Sequence, residues 1–223
     1  MKGNQFKQEN LCKSDFLFSE TSKKSLRAFY RHKLSEMSLS RKKQKVKKIN
    51  QLILNLPVWR QARFIAVYKA FKQEPCLSSF CSVWKNKICF PVIDGDQLSF
   101  YTNKENFWQK NKFNIREPVS KEKNRVALKD ISVFFLPGLA FDRKGGRLGR
   151  GQAYYDKTLS SIKRDPKPNR PLSWNKQALF IGLAFTEQIH RTALPLSRYD
   201  ILMDCVVTDQ FVLWPLNSQR GGE

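Results

Sequence analysis

Apolar and polar positions along this chain follow two different periods, and the change between them organises it. From Lys23, residues Leu26, Phe29, Tyr30, Leu34 and Met37 recur at helical spacing while basic side chains take the opposite face, which predicts a first helix. Either Ser38 or Ser40 can cap a second helix. Its apolar face is Val46, Ile49, Leu52, Ile53 and Leu56, and Pro57 stops it. Short apolar runs rich in β-branched and aromatic residues then take over. RFIAVYKA (63–70), ICFPVI (88–93), ISVFFL (131–136), FIGLAF (180–185) and residues 205–208 and 211–214 read as strands. Leu77, Phe80, Val83 and Trp84 predict a helix after the first strand, and residues 154–162 another. Asp94-Gly95-Asp96 is a turn leading into 98–101, hence a hairpin. ISVFFL is almost wholly apolar, as befits a strand covered on both faces.

Strands alternating with helices predict an α/β protein, a layered α/β/α domain around a largely parallel sheet with N-terminal helices. Residues 23–214 are expected to form that one domain, for which 223 residues are ample. Residues 1–22 show no period and read as an extension, either a frayed tail or a strap packed on the domain. Residues 215–223 are a C-terminal tail, and the proline-rich, basic 163–177 a surface loop. No internal repeat is visible.

Charge changes the picture most. Forty-one Lys and Arg against nineteen Asp and Glu give +22, so the surface must attract anions. Residues 23–48 hold eleven basic residues against Glu36 alone. Nucleic acid, nucleotides, polyglutamylated metabolites and acidic membranes all suit such a surface, and so does a merely solvated basic helix. Five scattered cysteines without a Cys-x-x-Cys pair, and only two histidines, argue against a zinc site or a disulfide framework. No apolar run approaches the roughly 20 residues of a membrane span, and the N-terminus lacks a signal-peptide core. The expected location is cytoplasmic.

The chemistry concentrates in residues 136–156, LPGLAFDRKGGRLGRGQAYYD. Pro137-Gly138 turns the chain out of a buried strand. Gly149-x-Gly151 lets backbone N–H groups converge, Arg147 and Arg150 add fixed charge, and a helix from near Ala153 would aim its N-terminus at the same place. Asp156 could hold Mg²⁺ bridged to phosphate. The string is neither a Walker A loop nor a dinucleotide Gly-x-Gly-x-x-Gly, since Tyr154 stands at the third glycine. Taken alone, a plain surface turn explains it equally well.

The full string closely resembles the signature of the 5-formyltetrahydrofolate cyclo-ligase family, PG-x-x-F-D-x-x-G-x-R-L-G-x-G-x-G-Y-Y-D, with about twelve defined positions agreeing in order. Lys23-Lys24-Ser25-Leu26-Arg27 resembles the family's ATP-contacting Lys-x-x-Leu-Arg. Residues 65–74 resemble its first strand and substrate loop, ending in Glu74, and 113–118, 181–189 and 199–204 resemble later segments. The resemblance implies ATP- and Mg²⁺-dependent cyclisation of 5-formyltetrahydrofolate. Apart from the resemblance, the charge leaves nucleic acid open without predicting it, polyglutamylated substrate stays open, and a monomer without a membrane partner is expected. The resemblance implies an ATP site of Lys23, Lys24, Arg27, Arg147, Leu148, Gly149, Arg150, Gly151, Gln152, Ala153, Tyr154 and Tyr155. It implies substrate contacts from Lys69, Glu74, Arg150, Tyr154 and Tyr155, catalytic roles for Arg147, Arg150 and Tyr154, and Mg²⁺ at Asp156 and Asp200.

Two departures stand out. Gln152-Ala153 occupies a place where the family has glycine, and a positive φ there would strain the alanine. Lys69 occupies a place where the family has an apolar residue. The alternative reading is a catalytically weak or inactive homologue that binds RNA or another polyanion through its basic surface.

Overall fold

The computed structural model describes residues 22–56, 59, 61–71, 73–162 and 178–215. The expected extension 1–22 (Ser22 aside), the stop at Pro57, the loop 163–177 and most of the C-terminal tail lie outside these.

Helix α1 (Lys23–Ser35) starts where the Ser22 hydroxyl accepts from the Ser25 amide, and α2 (Leu39–Leu54) where the Ser38 hydroxyl accepts from the Arg41 amide. Of the two serines able to cap α2, Ser38 does so. Strand β1 (Phe64–Ala66) comes next, shorter than the predicted 63–70, then α3 (Ser78–Val83). The expected hairpin is β2 (Ile88–Asp94) and β3 (Gln97–Thr102), closed by Gly95 at φ 61°. Three short strands follow, β4 (Trp108–Lys110), β5 (Arg116–Pro118) and β6 (Arg125–Val126), and then the longer β7 (Ile131–Pro137). Past β7 come β8 (Ala140–Asp142), β9 (Arg147–Leu148) and α4 (Tyr154–Leu159). The chain then makes β10 (Leu179–Leu183), β11 (Ile189–His190), β12 (Cys205–Val207) and β13 (Val212–Leu213).

The main sheet runs β13-β12-β10-β7-β1-β2-β3-β6. Its five central strands, β12 to β2, are parallel; β13, β3 and β6 pair antiparallel at the margins. Alternation along the strands divides the core in two. Val133, Phe135, Ile181, Leu183, Cys205 and Val207 meet Leu26, Tyr30, Ile49, Ile53 and Phe80 of the three early helices. On the other face, Phe134, Leu136, Phe180 and Val206 meet Leu159 of α4 and Phe141 of β8. The fold is therefore the layered α/β arrangement expected, with one thin face: α4 spans six residues, not the predicted nine. Two small sheets, β11-β8-β9 and β4-β5, sit outside the main one. No helix among the described residues is long and apolar enough to cross a membrane.

One basic residue breaks the solvated-face expectation. Lys45 is buried on α2, with Nζ 2.5 Å from Asp209 and 3.1 Å from Glu187, which joins α2 to the turns after β10 and β12.

Candidate active site

In parallel sheets, ligand sites form beyond the carboxyl ends of the strands. Here β7 ends at Pro137, and the chain from β8 to α4 folds over that end. Asp142, fully buried, shapes the glycine turn by accepting from the amides of Lys144, Gly146 and Leu194 at 2.7, 2.9 and 2.7 Å. It was not among the expected site residues, although it is the Asp of the Phe-Asp pair in the signature.

Arg147 is the pivot. Its side chain, 5% exposed, donates to the Pro137 carbonyl at 3.0 Å and the Asp156 carboxylate at 2.7 Å, while its Nε is buried with no partner among the described residues. Asp156 also accepts from the Ile201 amide at 3.2 Å. The pair forms a wall with a cavity on each side.

The first is a polar cleft of about 650 Å³. Lys23 and Arg27 of α1 line it with Leu148, Gly149, Gly151, Ala153, Lys157 and Asp200. Lys23 pairs with Asp200, whose carboxylate also accepts from the Ser197 amide and hydroxyl. Burial pushes the Asp200 carboxyl up, but the hydrogen bonds from Lys23 and Ser197 outweigh it and hold it below the usual carboxylate value. Arg27 Nε donates to the Gly149 carbonyl at 3.0 Å, and Arg31 donates to the Arg150 carbonyl at 3.3 Å. Lys23, Arg27 and Arg31 lie four residues apart and so form one stripe of α1 against the loop. With both carbonyls turned toward α1, the trans peptides turn the Arg150 and Gly151 amides away from it. Arg31 escaped the sequence reading because nothing in its i, i+4 spacing distinguished it from other cations of a basic helix.

The second cavity, about 360 Å³, is mostly aromatic and aliphatic: Phe90, Ile93, Leu98, Phe113, Ile115, Tyr154 and Tyr155. Its polar members include Lys69, Glu74, Asn111, Glu117, Arg150 and Gln152. Arg150 Nε donates to Glu74 at 2.8 Å, while the other Glu74 oxygen accepts from the Phe71 amide at 2.9 Å. Lys69 lies over the Trp108 ring at 4.4 Å, and Phe113 meets Tyr154 edge-on at 6.3 Å. Burial, and after it the Glu74 carboxylate, push the Tyr68 and Tyr155 phenols up, so both stay protonated.

The expected residues thus gather, with redistribution. Arg147, Gly149, Ala153 and Asp156 border both cavities. Arg150, Gln152, Tyr154 and Tyr155, expected on both the ATP and the folate side or on the ATP side alone, line only the aromatic pocket. Lys24 is exposed and lines neither cavity, because one step along a helix turns a side chain about 100° from its neighbour. The helix dipole expected at Ala153 contributes little from six residues, so the anion cradle rests on side-chain cations. Ala153 does have a positive φ, 55°, and Gly151 has 115°.

The donor set also bears on Mg²⁺. Among the described residues no group of three His, Cys, Asp or Glu could hold a metal. Asp156 and Asp200 border the same cleft and provide hard oxygen donors. That fits an ion bound by one or two carboxylates plus phosphate oxygens, and does not fit an all-protein cage.

Comparison with known sequences and structures places the chain in a family. The profile of the 5-formyltetrahydrofolate cyclo-ligase family matches residues 19–209. The 5-formyltetrahydrofolate cyclo-ligase of Haemophilus influenzae is 31% identical over 168 residues, covering 71% of this chain and 83% of its own. The mitochondrial 5-formyltetrahydrofolate cyclo-ligase of Arabidopsis thaliana is 27% identical over 220 residues, covering 89% and 77%. The solution structure of 5,10-methenyltetrahydrofolate synthetase from Aquifex aeolicus superposes with a TM-score of 0.73 at 26% identity, over 90% of this chain and 96% of that one. With the profile running from before α1 to the turn after β12, the chain belongs to the 5-formyltetrahydrofolate cyclo-ligase family.

Proposed function

We propose that this protein cyclises 5-formyltetrahydrofolate to 5,10-methenyltetrahydrofolate, with Mg²⁺ and with conversion of ATP to ADP and phosphate. The observation that carries the reading is the shared wall: Arg147 and Asp156 separate a cation-lined cleft from an aromatic pocket. Family membership supports the same chemistry.

A formamide oxygen leaves poorly, so the reaction must first convert it to a phosphate. The formyl oxygen attacks the γ-phosphorus and ADP departs. N10 then attacks the activated carbon, loses its proton, and the oxygen leaves as inorganic phosphate. Such transfers depend on positioning and charge neutralisation more than on a protein nucleophile. Lys23 and Arg27, beside Gly149 and Gly151 of the loop, hold the polyphosphate in the cleft. Arg147 meets the charge that develops at the wall, where its unpartnered Nε is already buried. Glu74 sets the direction of Arg150, while Tyr154 and Tyr155 enclose the pterin. Asp156 and Asp200 would hold the Mg²⁺ that arrives with the nucleotide, which supplies neutralisation of the phosphoryl oxygens.

The direct test is incubation with 5-formyltetrahydrofolate, ATP and Mg²⁺, followed by the methenyl-folate absorbance. Substrate carrying heavy oxygen in the formyl group should deliver that label to the phosphate. No methenyl product at any enzyme concentration would sink the reading.

A further inference from the structure

Besides Asp156 in the wall, the aromatic pocket holds two carboxylates, and they are placed differently. Glu74 is matched by the Arg150 guanidinium and the Phe71 amide. Glu117, on β5, is 6% exposed, and among the described residues no Lys or Arg forms an ion pair with it. Its donors are neutral: Asn111 Nδ2 at 2.9 Å, Gln109 Nε2 at 3.4 Å and the Ile93 amide at 3.5 Å. Two of these are at the long limit of hydrogen bonding. A carboxylate has about four acceptor positions, and one buried without a cation needs strong donors to offset its desolvation.

Resting on the folate reading above, we infer that Glu117 is the specificity-determining residue for the pterin ring, accepting from its N3–H and 2-amino group. Those two donors lie side by side on one edge of a 2-amino-4-oxo ring, in the amidine-like pattern that a carboxylate meets with both oxygens. The surroundings suit a flat ring: Phe90, Ile93, Leu98 and Ile115 border the same pocket. The donors already on Glu117 come from β2 and from the β4–β5 hairpin, so the carboxylate is fixed in place before ligand arrives. Glu74, engaged with Arg150, directs the guanidinium toward the reacting end, and Glu117 anchors the opposite end of the bicyclic ring.

The rival explanation is structural, that Glu117 only ties the hairpin to β2. A ligand comparison separates the two. Binding is followed by Trp fluorescence, and turnover by methenyl absorbance, for 5-formyltetrahydrofolate and for its 2-desamino-2-methyl analogue, which lacks the exocyclic donors. The wild type should prefer the parent by roughly 100-fold or more, since a site built for hydrogen bonding rejects a ligand lacking the donor. E117Q should cut that preference to within about threefold, raising KM for the parent roughly tenfold or more and leaving KM for ATP unchanged. N111A, which removes one neutral donor and loosens the hairpin but leaves the Glu117 carboxylate present, should weaken both ligands and keep a preference for the parent. An E117Q protein that retains the wild-type ratio overturns the inference. So does a wild type that hardly distinguishes the two ligands, a result that stands even if E117Q fails to fold. Failure of the wild type to bind either folate would instead overturn the proposed function.

Discussion

Arg147 gives one terminal nitrogen to Pro137 and the other to Asp156, and among the described residues its Nε has no acceptor. A buried donor without a partner costs about 1–3 kcal/mol, a cost tolerated where a ligand supplies the missing acceptor. Arg147→Ala should therefore lower kcat/KM by about 10²–10³, the usual loss for one preorganised donor at a charged transition state. Steady-state kinetics checks this, and an unchanged rate would mean the wall is misassigned. Arg147→Lys should recover little, because an ammonium cannot span two acceptors with a planar fork. Ala153 makes a different demand. At φ 55° its Cβ is strained as glycine would not be, so Ala153→Gly should stabilise by about 1 kcal/mol and raise Tm by roughly 2–4 °C. A calorimetric Tm that falls would show that the entropy of glycine outweighs the relieved strain. The glycine pattern made this strain legible in the sequence. Glu117 was not legible, because among the described residues no Lys or Arg pairs with it, and the lack of an ion pair has no sequence motif.

Between elements, α1 and α2 behave as two anchors. The α1 stripe of Lys23, Arg27 and Arg31 holds the loop, and Tyr30 on the same helix bonds His190 of β11 at 2.9 Å. Lys45 ties α2 to the buried Asp209. Removing one partner of a buried pair leaves the other uncompensated, so Lys45→Ala should destabilise by about 3–5 kcal/mol, measured by urea unfolding. The pH dependence follows from the same contacts. Burial raises Asp209 and Asp200, but Lys45 with Thr186, and Lys23 with Ser197, hold both below the ordinary 3.8. A depressed carboxyl binds protons less readily in the folded state, so the stability it contributes is complete above about pH 4 and is lost as pH falls below 3.8. His190 is lowered from 6.5, first by burial, so the unfolded chain takes its proton first and stability falls as pH drops through 6.5. Melting temperatures should thus step down twice on acidification; Tyr30→Phe should alter the upper step and Lys45→Ala the lower. A single acid transition would refute the assignment. The helices and long strands were readable because a continuous face must be buried, which writes a period into the sequence. Strands β4, β5, β8, β9 and β11, two or three residues each, are too short to carry a period. The burial of Lys45 was hidden for a related reason: its partners lie 142 and 164 positions away in sequence, and a lysine among lysines looks solvated.

At the scale of the molecule, the parallel sheet and the cleft at its carboxyl edge followed from strand–helix alternation, whereas the meaning of +22 did not. The cleft itself explains why. Lys23 faces Asp200, Arg147 faces Asp156 and Lys157 faces Asp96, which leaves Arg27 as the cleft cation held by a carbonyl and not by a carboxylate. Locally the cleft is close to neutral, so on the proposed function the long-range attraction for an anionic nucleotide would come from the charge of the whole surface. Such a field steers encounter and is screened beyond about 8–10 Å at physiological salt, whereas paired groups at contact distance are screened far less. Raising NaCl from about 20 to 300 mM should therefore lower kcat/KM for ATP several-fold while kcat changes little. Reversing exposed lysines remote from the cleft, as in a Lys43→Glu, Lys47→Glu, Lys48→Glu triple variant, should reproduce part of that loss at low salt and flatten the salt dependence. If the triple variant instead keeps the wild-type salt profile, the basic helix does not steer the nucleotide. Loss of salt-sensitive RNA retention in that variant, with ATP kinetics intact, would assign the charge to a polyanionic partner and leave catalysis to the cleft alone.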